Sequence, residues 1–147
     1  MDRTDLQPEA ITHRLDIARS IALQAGEVTL QHFQTRQLSV ERKSDDSPVT
    51  IADREAEQLL RREIQAHFPE DAILGEEFED VEGRSGYRWI LDPIDGTKSF
   101  INGVPLYGTL VGVEYQREGV LGVIFMPALN EMVYAARGEG AWHVQGE

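Results

Sequence analysis

The chain has 147 residues, 41% of them hydrophobic and 27% charged, with a formal net charge of −12. That is the size and balance of one soluble folded domain. Its acidity argues against nucleic-acid backbones and anionic membrane surfaces as partners, since both need a positive footprint. Cysteine is absent, which excludes disulfides, zinc–thiolate sites and cysteine nucleophiles.

The start MDRTDLQPEA is polar, without the apolar core of a signal peptide, and no segment reads as a membrane span, so the cytoplasm is the expected location. From Pro8 onward, Ile11, Leu15, Ala18, Ala22, Ala25, Thr29 and Phe33 recur every three or four residues. This predicts a long amphipathic helix whose polar face carries Arg14, Arg19, Gln24, Glu27 and Gln31. Leu38 to Lys43 reads as a short strand, and Ser44 to Pro48 as a polar loop. A second helix is expected from Thr50, with Thr50 and Asp53 at capping-box spacing and an apolar stripe of Ala52, Ala56, Leu59 or Leu60, Ile64 and Phe68 ending at Pro69.

The apolar Ala72-Ile73-Leu74 runs into Gly75-Glu76-Glu77, and a polar loop from Glu79 to Gly86 leads to a strand at Tyr87 to Leu91. Four further β-type runs follow: Leu106 to Tyr115, Val120 to Met126, Glu131 to Ala136 and Ala141 to Val144. The short turns between them favour antiparallel hairpins. The predicted fold class is α+β, two N-terminal helices packed on a largely antiparallel sheet in a single domain over 1–147.

Acidic residues stand at the ends of three elements: Asp53 in the first turn of the second helix, Glu76-Glu77 after a short strand, and Asp92 with Asp95 after the next. Taken singly, each has an ordinary reading. Asp53 is a capping-box acid, Glu76-Glu77 a solvated loop, and Asp92-Pro93 an N-cap with proline at the first helical position. Taken together, they can converge on a hard divalent cation, which prefers oxygen ligands. Such a cation would also reverse the local sign of an acidic protein toward an anionic substrate.

Gly96-Thr97, read as a helix start, offers backbone N–H groups to an anion. Carboxylates for cations beside amides for a phosphate suit phosphoryl chemistry. Other routes do not match. The acids form D-x-x-D rather than the D-x-D of a phosphoaspartyl enzyme, so a turn is expected between them. There is no P-loop and no G-x-S-x-G elbow. His13, His32, His67 and His143 lack metal-ligand spacing and read as structural or surface histidines. The nucleophile expected by elimination is water.

Gly75-Glu76-Glu77, Trp89-Ile90-Leu91-Asp92-Pro93-Ile94-Asp95-Gly96-Thr97 and the upstream Val49-Thr50-Ile51-Ala52-Asp53 together resemble the signature of the inositol monophosphatase superfamily. The likeness covers roughly residues 10 to 145, and Gly138-Glu139-Gly140-Ala141 resembles the family's hairpin. It implies Mg²⁺-dependent hydrolysis of a small phosphate monoester. Glu76, Asp92 and the Ile94 carbonyl would bind one cation, Asp92 and Asp95 a second, with Glu77 supporting the cluster. Thr97 would position the attacking water, Asp53 would accept the Thr97 hydrogen bond, the amides at Gly96 and Thr97 would hold phosphate, and Lys43 would lie near the site.

Lys98-Ser99-Phe100 and Gly103 to Leu110 are similar to the histidinol-phosphate phosphatase branch. Family members are longer, and their C-terminal half carries a Trp-Asp motif whose aspartate completes the second metal site. This chain has no such motif and corresponds to the family's N-terminal domain. The resemblance therefore implies either a Mg²⁺-dependent phosphatase acting on a small phosphorylated metabolite or a non-catalytic metal-binding or dimerising domain of one. Self-association or a homodimer is expected in both cases.

Overall fold

The computed structural model describes residues 7–34 and 48–146. Helix α1 spans Pro8–Leu30 and α2 spans Pro48–His67. Strands β1 (Ala72–Leu74) and β2 (Tyr87–Asp95) follow, then a short helix α3 (Thr97–Ile101). Strands β3 (Gly108–Tyr115), β4 (Glu118–Met126), β5 (Glu131–Ala136) and β6 (Gly140–Gln145) complete the chain. The strands form one six-stranded sheet in sequence order. Only β1–β2 is parallel, and the other neighbouring pairs are antiparallel. The fold class is the α+β layout expected.

Both long helices pack on one face of the sheet. The buried file Ile11, Leu15, Ala18, Ala22 and Ala25 of α1 meets Val111, Val113, Val123 and Phe125, while Ala56, Leu60 and Ile64 of α2 face Trp89 and Leu91. Contact is closest at Gly26, where an added Cβ would collide with the Phe125 ring. Helix α1 stops at Leu30, short of Phe33, and Phe33 instead packs against Phe100 and Tyr107 from a turn.

Arg14 departs from the polar face assigned to it and is buried. Its guanidinium lies 3.7 Å from the centre of the Tyr87 ring and 4.4 Å from that of Phe68, and it forms two 2.8 Å bonds to the buried Asp71. Asp71 also accepts the Trp89 indole N–H at 2.8 Å and the Ser85 hydroxyl at 2.6 Å. This network ties α1, the α2–β1 link and β2 together, and a carboxylate with four donors is well compensated for its burial. Arg19 is likewise half-buried rather than fully solvated, with its guanidinium 4.0 Å from the centre of the Tyr134 ring.

Among the described residues nothing covers the opposite face of the sheet. Along it Ile90, Leu110, Ile124 and Val133 line a trough of about 840 Å³ whose floor is Gly112 and Gly122. Ile124 is 46% exposed and Val133 44%, so this face is apolar and open to solvent. The predicted strand at Leu38–Lys43 and the loop at Ser44–Ser47 lie outside the described residues, while Pro48 opens α2.

Candidate functional site

The acids gather at one corner of the sheet because α2, the end of β1 and the end of β2 meet there. Helix α2 begins at Pro48, two residues before the expected Thr50. Thr50 therefore sits inside the first turn rather than capping it, and Asp53 lies a turn deeper than expected. That depth buries Asp53, which is only 7% exposed. Ala52 beside it packs with Ile94, Phe100 and Tyr107 in a second small core. The same core thus fixes Asp53 on one side and the Asp92–Asp95 segment on the other.

No turn separates Asp92 from Asp95. Strand β2 continues through both, with Asp92 paired to Leu110 and Asp95 to Gly108. Three steps along β2 oppose two along β3, which is a β-bulge. An extra residue reverses the strand's alternation, so acids three apart are no longer forced to opposite faces. Pro93 supplies no N–H to the ladder and suits the irregularity, and its carbonyl accepts the buried Thr109 hydroxyl at 2.8 Å. Ile94 has no cross-strand partner in the register. Gly96 then takes φ = 92°, a conformation that favours glycine, and α3 begins at Thr97.

The electrostatics are unfavourable for a site made of protein alone. Asp53 is pushed from its ordinary 3.8 up to about 8, chiefly by burial and then by the charges of Glu77, Asp92, Glu76 and Glu57. Asp92 rises from 3.8 to about 6, again mainly by burial and then by Glu76 and Asp95, while a hydrogen bond from the Ile94 backbone pulls the other way. Glu76 is also raised, by burial first and by Glu57, Glu77 and Asp95 after it. Six carboxylates therefore act on one another here. Among the described residues the buried Oδ1 atoms of Asp53 and Asp92 have no hydrogen-bond donor.

Two buried, unpartnered carboxylate oxygens among like charges are what a cation would neutralise, and an all-oxygen donor set suits Mg²⁺. Among the described residues no group of three such side chains is already closed around an ion position. The residues fit the group in chemistry and location, not as a finished coordination shell.

Glu76 and Asp95 are exposed and Glu77 is half-buried. Gly96 and Thr97 lie exposed at the start of α3, and the Thr97 hydroxyl is not hydrogen-bonded to Asp53, whose Oδ1 stays unpartnered. The structure thus places Asp53, Glu76, Glu77, Asp92 and Asp95 within one field without forming the Thr97–Asp53 bond. Lys43 lies outside the described residues.

Two residues of this corner have no counterpart in the expected set. Glu57 is fully buried, and Arg61, also buried, pairs with it at 2.9 Å. Asp53, Glu57 and Arg61 form a charged file at i, i+4 and i+8 directly beside the apolar file Ala52, Ala56 and Leu60. That adjacency was the available signal, since a file next to a helix's buried stripe is drawn toward the core.

Comparison with known proteins shows the family and the fold. The model of the inositol monophosphatase family matches residues 11–146. A histidinol-phosphatase of Chlorobaculum parvum is 51% identical over 132 residues, covering 90% of this chain and 51% of that protein. An inositol-1-monophosphatase of Rhizobium meliloti is 38% identical over 130 residues, covering 87% and 49% respectively. The solved structure of an inositol monophosphatase from Zymomonas mobilis superposes with a TM-score of 0.80 at 34% identity, covering 92% of this chain and 52% of that one. The chain spans about half the length of the curated relatives it matches.

Proposed function

The chain belongs to the inositol monophosphatase family, and from that premise we propose that its acidic corner serves Mg²⁺-dependent hydrolysis of a small phosphate monoester of the histidinol phosphate type. The carrying observation is the pair of buried carboxylate oxygens on Asp53 and Asp92 that lack a donor among the described residues. The names of the more similar relatives favour histidinol phosphate over inositol phosphate.

In this reading Glu76, Asp92 and the Ile94 carbonyl hold one cation, and Asp92 with Asp95 a second, with Glu77 supporting the cluster. Bound Mg²⁺ supplies positive charge to the phosphate oxygens and makes a water nucleophilic near neutral pH. The chain's own groups do the rest. The Thr97 hydroxyl would orient the attacking water, with Asp53 accepting its hydrogen bond. The amides at Gly96 and Thr97 face the phosphate, as the unpaired N–H groups of a first helical turn do. Lys43 is assigned a place near the site from the family pattern alone.

Residues 1–147 are read as one domain, equivalent to the N-terminal part of the longer relatives. The open apolar sheet face calls for a cover, and self-association through that face is the form assigned to it. Among the described residues no helix is long and apolar enough to cross a membrane; the cytoplasm is the assigned location.

The test is phosphate release from histidinol phosphate and from inositol 1-phosphate, with and without Mg²⁺, by this chain and by the chain extended to family length. Mg²⁺-dependent release by either supports the reading, and none by the extended form overturns it. A second reading is a metal-binding or dimerising domain without turnover. Calorimetric Mg²⁺ binding by this chain with no turnover by either form would favour it.

A further inference from the structure

We propose that Glu57 and Arg61 are a positioning pair that presets the main chain of residues 76–79 so that Glu76 and Glu77 can receive a divalent cation. The inference rests on the metal reading above. The Glu57 carboxylate is 0% exposed. Its Oε1 accepts the backbone N–H of Glu76 at 2.9 Å and that of Glu77 at 3.1 Å, and its Oε2 accepts Arg61 Nε at 2.9 Å. Arg61 in turn donates to the backbone carbonyls of Phe78 at 3.0 Å and Glu79 at 2.7 Å. Four successive residues are thereby gripped through their backbone from one helix. Gly75 is part of the same fit, because a Cβ there would collide with the Glu57 carboxylate.

The purpose of so buried a pair follows from what it holds. Replacing a buried ion pair with apolar side chains is often neutral or stabilising, so stability alone is a weak reason to keep one. Glu76 and Glu77 must stand near Asp53 and Asp92, which repel them. A tether through the backbone resists that repulsion and leaves both side chains free. Neither the Glu76 nor the Glu77 carboxylate makes a hydrogen bond or ion pair to a described residue. Ligands with bound backbones and uncommitted carboxylates are preorganised for a cation, and outer groups that orient ligands affect affinity about 10–100-fold.

The two possible roles of Arg61 predict opposite signs. As a nearby positive charge it opposes cation binding, so Arg61→Met should tighten Mg²⁺. As a positioning residue it favours binding, so the same change should weaken Mg²⁺. The experiment is Mg²⁺ titration calorimetry on the chain and on Arg61→Met, with backbone amide shifts of Glu76 and Glu77 recorded without metal. We expect about a 10–100-fold loss of affinity together with displaced amide shifts. Unchanged or tighter binding by the variant, beside a wild type that binds, overturns the positioning role alone. A wild type that takes up no Mg²⁺, either as this chain or extended to family length, overturns the metal reading and this inference with it. Should Arg61→Met fail to fold, the double change Glu57→Gln with Arg61→Met leaves no lone buried charge and is judged by the same outcomes.

Discussion

At the scale of single residues, Asp53 departs furthest from ordinary behaviour. Its carboxyl titrates at about 8 in the fold and 3.8 when free, so between those values the folded chain holds a proton that the unfolded chain releases. Stability therefore falls as pH rises through that window, because unfolding is then accompanied by proton loss. Asp92 acts in the same direction over the narrower span from 3.8 to about 6. The metal-free thermal midpoint should decline from about pH 4 to about pH 8, most steeply in the lower half where both groups contribute. In Asp53→Asn the decline should end near the Asp92 value of about 6. Thermal scans across that range in EDTA are decisive, and a variant that keeps declining between about 6 and about 8 would remove Asp53 as the cause.

At the scale of elements, Asp71 joins α1, β2 and the loop before β2 through Arg14, Trp89 and Ser85. Asp71→Ala leaves the Arg14 guanidinium buried without its carboxylate and the Trp89 N–H without its acceptor. Breaking a buried, hydrogen-bonded pair in this way costs about 3–5 kcal/mol. Urea unfolding should show a loss of that size, and one below about 1 kcal/mol would mean that the network is solvent-relaxed rather than structural. The β2 bulge lies at the same level. It was expected as a turn because D-x-x-D cannot share one face of a regular strand, and no pattern in the sequence distinguishes a turn from an extra residue in the ladder. The antiparallel partner β3 decides, since its pairing resumes at Asp95 with Gly108.

At the scale of the molecule, the described residues cover one face of the sheet and leave the other bare. Ile124 and Val133 stand exposed beside a glycine-floored trough, an apolar surface of the kind that marks association. We expect Ile124→Glu to shift sedimentation velocity profiles of the chain toward the monomer while leaving its thermal midpoint nearly unchanged, because the side chain packs into no core. A wild type that sediments as a monomer at high concentration would dismiss self-association through this face. The same face carries Asp92, two residues beyond Ile90 on one side of β2, so whatever covers the trough also closes over one side of the acidic corner.

The sequence by itself determined the fold class, the helical faces built on Ile11 to Ala25 and Ala52 to Ile64, and the three acidic clusters with the family they resemble. Those features are local: periodicity, turn residues and contiguous motifs survive in one dimension. It did not determine that Arg14 turns inward, that Glu57 and Arg61 grip the Glu76–Glu77 backbone, or that a bulge carries Asp92 and Asp95. Each depends on a partner far along the chain, Asp71 for Arg14 and β3 for the bulge. A charged residue beside a buried stripe looks solvated until tertiary structure supplies the opposite charge. Burial is decided by that compensation, and only the folded chain brings it within bonding distance.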